Sequence, residues 1–131
     1  MNSNLVCAAL LMVLLFGLGF AVSLERANSS KLGGIPTDET SRLFKLIRAH
    51  GNASEYVPTG IALALYFSVT ASSLVISALI TAFTVARYAH AMALIVGGSM
   101  NQFSLLRFVG GMGTYISGIG LAFSLLSAAL G

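Results

Sequence analysis

The sequence contains very few charged residues. Of its 131 residues, seven are Lys or Arg and four are Asp or Glu, so charged side chains make up 8% of the chain. Globular domains carry about 25%, and a chain with so little charge cannot cover a surface that faces water. Together with a mean hydropathy of +0.90, this shortage indicates a protein whose main solvent is the lipid bilayer.

Tryptophan is absent, and cysteine occurs once, at Cys7. A single cysteine cannot form an intramolecular disulfide, and no group of Cys and His residues has the spacing of a metal site, so we expect no metal centre. The net charge is +3, but the basic residues neither form a dense run nor alternate with aromatic residues. The sequence therefore does not favour nucleic acid as a partner.

Four apolar segments are long enough to cross a membrane. A hydrocarbon core about 30 Å thick requires roughly 20 helical residues per crossing, and we predict spans at about residues 5–24, 41–72, 74–96 and 106–130. The predicted fold is a single all-α domain over residues 1–131, an integral membrane protein with a four-helix up-and-down bundle. A cleaved signal peptide is the alternative for the first segment, although no basic residue precedes it.

The second span differs from the others because its first half is amphipathic. We expect Thr37 or Asp38 to cap this helix, and Pro58 to kink it because proline removes a backbone hydrogen bond. The seven Lys and Arg residues all fall near the first and third loops. By the positive-inside rule, these loops should be cytoplasmic and both termini should lie on the opposite side.

Polar residues recur every three or four positions along the second span, which places them on one face of the helix. They are Ser41, Lys45, Arg48, Asn52, Glu55 and Thr59. Basic residues can reach lipid phosphates, but an acid gains nothing there, so the stripe indicates a buried site. Counted from a short turn at residues 72–73, Glu55 and Arg87 lie at similar depth, which predicts an ion pair between them. A purely structural role for that pair is the alternative.

Residues 48–58 follow the pattern R-x-H-x-N-x-x-E-x-x-P, residues 86–90 follow A-R-x-x-H, and Arg107, Gly110 and Thr114 lie near the start of the fourth span. These three segments resemble the second, third and fourth helices of the MAPEG family, the membrane-associated proteins of eicosanoid and glutathione metabolism. The resemblance covers nearly the whole chain and is nearest to short bacterial members, which implies a bacterial inner membrane.

The resemblance implies a homotrimer that binds glutathione as a co-substrate in pockets between subunits, facing the cytoplasm. The implied activity is that of a glutathione transferase or peroxidase acting on lipophilic small molecules from the membrane lipid. By matched position, Glu55 would bind the amino group of glutathione and Arg48 a carboxylate, while Arg107 would be the catalytic residue that activates the thiol. The full set implied to bind glutathione is Arg26, Arg48, His50, Asn52, Glu55, Tyr56, Arg87 and His90.

The sequence departs from the family pattern at Leu94, where several characterised relatives have a tyrosine. Two other functions stay open. One is a small proton-coupled multidrug exporter in which Glu55 alternately binds protons and cationic drugs, although such an exporter needs an acid that is not paired with a cation. The other is a family member that keeps the fold without catalysis.

Overall fold

The structure is a computed structural model that describes residues 2–29, 33–70, 73–99 and 102–131. These residues form four α-helices: α1 Ser3–Asn28, α2 Arg42–Val69, α3 Leu74–Val96 and α4 Leu105–Leu130. The predicted all-helical fold with four helices is confirmed. The end of the predicted second span, residues 71–72, and Lys31 of the first loop lie outside the described residues. That the chain is one domain stays a prediction.

Three of the described helices are long and apolar enough to cross a membrane, namely α1, α3 and α4. Helix α2 is less apolar than these three helices, because its first half contains Arg42, Lys45, Arg48 and Glu55. Its second half is apolar from Ile61 onward, apart from Tyr66 and Ser68. A membrane crossing by α2 therefore stays a prediction.

The start of α2 differs from the prediction, because Ser41 is the N-cap and neither Thr37 nor Asp38 has that position. The hydroxyl of Ser41 accepts a hydrogen bond from the backbone N–H of Phe44 at 3.3 Å. The Asp38 carboxylate instead accepts from the backbone N–H and the hydroxyl of Thr40, at 2.9 and 2.6 Å. Asp38 therefore closes a turn just before the helix.

Helix α3 lies at the centre of the fold and packs against α1, α2 and α4. Glycine allows α4 to approach α3 closely: a Cβ added at Gly110 of α4 would lie 2.7 Å from the backbone nitrogen of His90 on α3. The faces of α1 and α4 that point away from the other helices are apolar, as at Phe16 and Phe123. Such faces suit contact with lipid or with another subunit.

Candidate functional site

A cavity of about 550 Å³ opens at the end of the bundle where α2 begins, α3 ends and α4 begins. We call it the polar cavity. Pockets for small molecules typically measure roughly 300–1,000 Å³, so the polar cavity is large enough for a small ligand. The residues that line it are Ile35, Glu39, Phe44, Arg48, Asn52, His90, Leu94 and Arg107.

Helical spacing explains why these side chains meet. Phe44, Arg48 and Asn52 are four residues apart along α2, and His90 and Leu94 are four apart along α3, so each set lies on one face of its helix. Arg107 lies in the first turn of α4, where the hydroxyl of the N-cap Ser104 accepts from its backbone N–H at 3.3 Å. Four sequence-predicted site residues, Arg48, Asn52, His90 and Arg107, thus share one cavity.

Arg87 lies behind the cavity and is only 2% exposed. Its Nη2 atom donates to Asn52 Oδ1 at 2.6 Å, and its Nη1 atom donates to Thr114 Oγ1 at 3.3 Å. The Tyr56 ring packs over the guanidinium, with 5.1 Å between the ring centroid and Arg87 Cζ. Arg87 therefore ties α2, α3 and α4 together and fixes the orientation of Asn52.

This arrangement also defines what Asn52 offers to a ligand. A guanidinium group can only donate hydrogen bonds, so the Asn52 atom that it contacts is the amide oxygen. The NH₂ group of Asn52 is then the part of the side chain that can donate into the polar cavity. Because Arg87 is buried, this orientation is protected from competition by water.

The predicted ion pair between Glu55 and Arg87 is wrong. Both residues lie in the described part of the chain, and Arg87 contacts Asn52 and Thr114 while Glu55 is exposed. Similar depth does not fix the direction of a side chain around the helix, which turns by about 100° per residue. Asn52 and Tyr56 contact Arg87 from one face of α2. Glu55 lies on the same helix but outside that face.

His90 and Arg107 connect the end of α3 to the start of α4. His90 Nδ1 lies 3.0 Å from the Arg107 carbonyl oxygen, and because a carbonyl only accepts, Nδ1 is the donor. In the neutral imidazole ring, Nε2 is then a hydrogen-bond acceptor. The Arg107 guanidinium donates from Nη2 to the Gln102 carbonyl oxygen at 2.8 Å, so the preceding loop fixes its position.

The other sequence-predicted site residues do not line the polar cavity. His50 faces α1, where a Cβ added at Gly19 would lie 3.2 Å from its Nε2 atom. Arg26 is in the last turn of α1, and Glu55 is exposed on α2. The Tyr56 hydroxyl lies 3.2 Å from the Tyr115 hydroxyl, and one of the two donates to the other. Within a single chain, these four residues are therefore outside the cavity.

A family model of the MAPEG family matches residues 4–127, nearly the whole chain. The chain belongs to the MAPEG family. MAPEG proteins are membrane-bound and associated with glutathione, so this chain, with its three apolar helices, is an integral membrane protein of a glutathione-related family. No curated protein matches the chain.

Sequence reasoning missed several contributors to the site of this MAPEG protein. Ile35 and Glu39 come from the first loop, and Phe44 from the first turn of α2. Loop residues have no helical periodicity to indicate which way they face, so Glu39 could be noticed only as an acid just before the amphipathic helix. Thr114 was recognised in the family pattern, but its contact with Arg87 needs the packing of α4 on α3.

Proposed function

We propose that this MAPEG protein binds glutathione in the polar cavity and transfers it to a lipophilic electrophile, or uses it to reduce one. The observation that supports this most strongly is the gathering of two guanidinium groups, an amide and an imidazole around one cavity of about 550 Å³. Glutathione has two carboxylates, one ammonium group and one thiol. Guanidinium groups bind carboxylates in paired, charge-assisted hydrogen bonds.

Arg48 and Asn52 are the proposed carboxylate-binding residues. Arg48 is exposed where the cavity opens, so it can meet an anionic ligand as that ligand enters. Asn52 donates from its NH₂ group, because its oxygen accepts from Arg87. Arg87 is buried and does not line the cavity, and its proposed role is to position Asn52 and Tyr56.

Arg107 is the proposed catalytic residue. A free cysteine thiol titrates near pH 8.5, and an adjacent cation in a partly dry pocket favours the thiolate, which is the attacking species. The hydrogen bond to Gln102 limits movement of the guanidinium. His90 Nε2 offers an acceptor for the thiol proton, since Nδ1 is occupied by the Arg107 carbonyl oxygen. The thiolate sulfur then forms a bond to the electrophile and displaces its leaving group.

A homotrimer is part of the proposal, and the position of Glu55 supports it. Glu55 lies 14 residues before the end of α2, which is about 21 Å along the helix axis. If α2 crosses the membrane, this position is inside the bilayer, where ionisable side chains usually face other protein residues and not lipid. In a single chain Glu55 is exposed. A neighbouring subunit would cover it and could bring Arg26, His50 and Tyr56 into a site shared between two chains.

We also propose that the polar cavity faces the cytoplasm of a bacterial cell, from its inner membrane. The cavity is at the bundle end that has the first and third loops, where the basic residues are concentrated. The positive-inside rule assigns that end to the cytoplasm.

The test is calorimetric titration of glutathione into detergent-purified protein. Arg48→Ala should weaken binding about tenfold or more, the usual cost of losing a hydrogen bond between charged groups. Arg42→Ala is the matched control, because Arg42 is also an arginine of α2 but is 77% exposed, pairs with Glu25 at 3.4 Å and does not line the cavity. Equal affinity in both variants and the wild type would remove this site assignment.

A proton-coupled exporter is a second candidate, and one observation favours it. Glu55 does not pair with Arg87 in the described structure, so one reason against an exporter no longer applies. Release of protons from purified protein on addition of a lipophilic cation, lost in Glu55→Gln, would support export. A catalytically silent MAPEG protein would instead bind glutathione without an increase in thiolate absorbance near neutral pH.

A further inference from the structure

Two tyrosine hydroxyl groups meet on the flank of the bundle, outside the polar cavity. The Tyr56 hydroxyl on α2 lies 3.2 Å from the Tyr115 hydroxyl on α4, and the two rings meet edge to face with 5.8 Å between their centroids. We call these two residues the tyrosine pair. Tyr115 is 50% exposed, so a molecule that approaches this flank can reach the hydroxyl groups.

The tyrosine pair has one unused hydrogen-bond donor. A phenol hydroxyl can donate one hydrogen bond and can also accept, and here one hydroxyl donates to the other. The accepting hydroxyl keeps its own hydrogen, and neither Tyr56 nor Tyr115 has a further hydrogen-bond partner among the described residues. Because a hydroxyl that already accepts a hydrogen bond is polarised, it is also a stronger donor. The pair therefore offers one donor to an outside acceptor.

The flank around the tyrosine pair is apolar on α4. Met112 and Ile119 lie one turn before and one turn after Tyr115, on the same face, and they are 41% and 57% exposed. On α2, Glu55 precedes Tyr56, but no hydrogen bond joins its carboxylate to either hydroxyl in the described structure. A donor in apolar surroundings is costly without an acceptor. The flank therefore suits an apolar ligand that brings one acceptor oxygen.

The tyrosine pair lies about one helical turn from the polar cavity. Tyr56 comes four residues after Asn52 on α2, or about 6 Å along the helix axis, and Asn52 lines the cavity. Arg87 contacts both residues, with its Nη2 atom 2.6 Å from Asn52 Oδ1 and its Cζ atom 5.1 Å from the Tyr56 ring centroid. A ligand held by the tyrosine pair is therefore close to a ligand held in the cavity.

We propose that the tyrosine pair binds the carbonyl oxygen of a lipophilic molecule, and that this molecule is the acceptor of the glutathione thiol. A carbonyl oxygen fits the single unused donor because it accepts a hydrogen bond and brings no hydrogen of its own into apolar surroundings. The class of acceptor is then apolar electrophiles that have a carbonyl group. The role as acceptor rests on the proposed function, whereas the binding of the carbonyl group does not require glutathione.

The experiment uses benzophenone, an apolar ketone, with an isotope label in its carbonyl group. The protein is purified in a maltoside detergent, which has no carbonyl group. A hydrogen bond lowers the infrared stretching frequency of a carbonyl group, so the bound probe gives its own band. The proteins are the wild type, the double variant Tyr56→Phe with Tyr115→Phe, and the control Tyr66→Phe. Tyr66 is also a partly exposed tyrosine of α2, at 40%, but it is not part of the tyrosine pair.

We expect the lowered carbonyl band in the wild type and in Tyr66→Phe, and its loss in the double variant. The affinity for benzophenone should fall about fivefold in the double variant, the usual effect of losing one hydrogen bond. Diphenylmethane, in which a CH₂ group replaces the carbonyl, should compete equally well in both proteins. Because both hydroxyl groups are removed together, no polar partner is left unpaired, and the double variant should unfold at the wild-type temperature.

The absence of the lowered band in the wild type, or the same band in the double variant, would overturn the inference. If the double variant does not fold, photolabelling of the wild type decides, because irradiated benzophenone attaches to C–H groups beside its carbonyl and prefers methionine. Met12, Met92 and Met112 are similarly exposed, at 37%, 49% and 41%. Label mainly on Met112 supports the inference, and equal label on all three overturns it.

The outcome is separate from that of the proposed function, since these measurements contain no glutathione. If the lowered band behaves as expected but glutathione does not bind in the polar cavity, the carbonyl site stands and its role as acceptor site is wrong. If glutathione binds in the cavity but the band is absent, the proposed function stands and the carbonyl site is rejected.

Discussion

Arg87 on α3 donates to Asn52 Oδ1 on α2 at 2.6 Å, so a buried cation is held by a neutral amide and not by an acid. The contact links the centre of the bundle to the polar cavity, since Asn52 also lines that cavity. An amide, a hydroxyl and an aromatic ring contact the guanidinium group and offset part of the cost of its burial. Asn52 therefore both packs against the buried Arg87 and lines the cavity.

Asn52→Asp should weaken glutathione binding without lowering thermal stability. A carboxylate accepts a stronger, charge-assisted hydrogen bond from Arg87, so the thermal unfolding temperature should rise or stay the same. The variant also replaces the NH₂ donor with a second acceptor oxygen, which would repel a ligand carboxylate. Glutathione binding should therefore fall about tenfold or more. Unchanged affinity in a folded Asn52→Asp protein would show that Asn52 does not contact the ligand.

Arg87→Met should destabilise the protein, because it leaves Asn52 Oδ1 without its donor. A buried polar group without a partner costs about 1–3 kcal/mol. Adding Asn52→Leu to Arg87→Met should restore part of that loss, since both polar partners are then gone. Unfolding by denaturant in detergent measures Arg87→Met, Asn52→Leu and the double variant. If the double variant loses as much unfolding free energy as the two single variants together, the two residues do not interact as described.

Gly110→Ala should separate α3 from α4, because the new Cβ would lie 2.7 Å from the His90 backbone nitrogen. The shift would disturb His90 and Arg107 together, so both thermal stability and glutathione affinity should fall. Gly118→Ala is the matched control on the same helix, where the nearest atom would be 3.6 Å away, in the Phe83 ring. That variant should be neutral or gain up to about 1 kcal/mol from the higher helix propensity of alanine.

The orientation in the membrane is tested with reporter fusions. A reporter that is active only outside the cytoplasm should be active at the C-terminus after Leu130 and inactive in the first loop, because the basic residues lie at the end with the first and third loops. A cytoplasmic C-terminus would reverse the bundle and turn the polar cavity away from the cytoplasm.

Hydropathy and helical spacing predict much of this fold but only part of the site. The third span was predicted at residues 74–96, and α3 is Leu74–Val96, since Ser73 before the apolar run and Gly97 after it mark its ends. The partner of Arg87 was not predicted correctly, because sequence gives the depth of a residue along a helix better than the direction in which it points. Glu39 was missed because the folding of a polar loop depends on local hydrogen bonds, such as those of Asp38 with Thr40.

A structure of the protein with glutathione bound would locate the ligand relative to the polar cavity. We expect glutathione inside that cavity, with a carboxylate at Arg48 and the sulfur atom next to the Arg107 guanidinium. Glutathione bound elsewhere, with the polar cavity empty and Arg48 and Arg107 not in contact with the ligand, would contradict it.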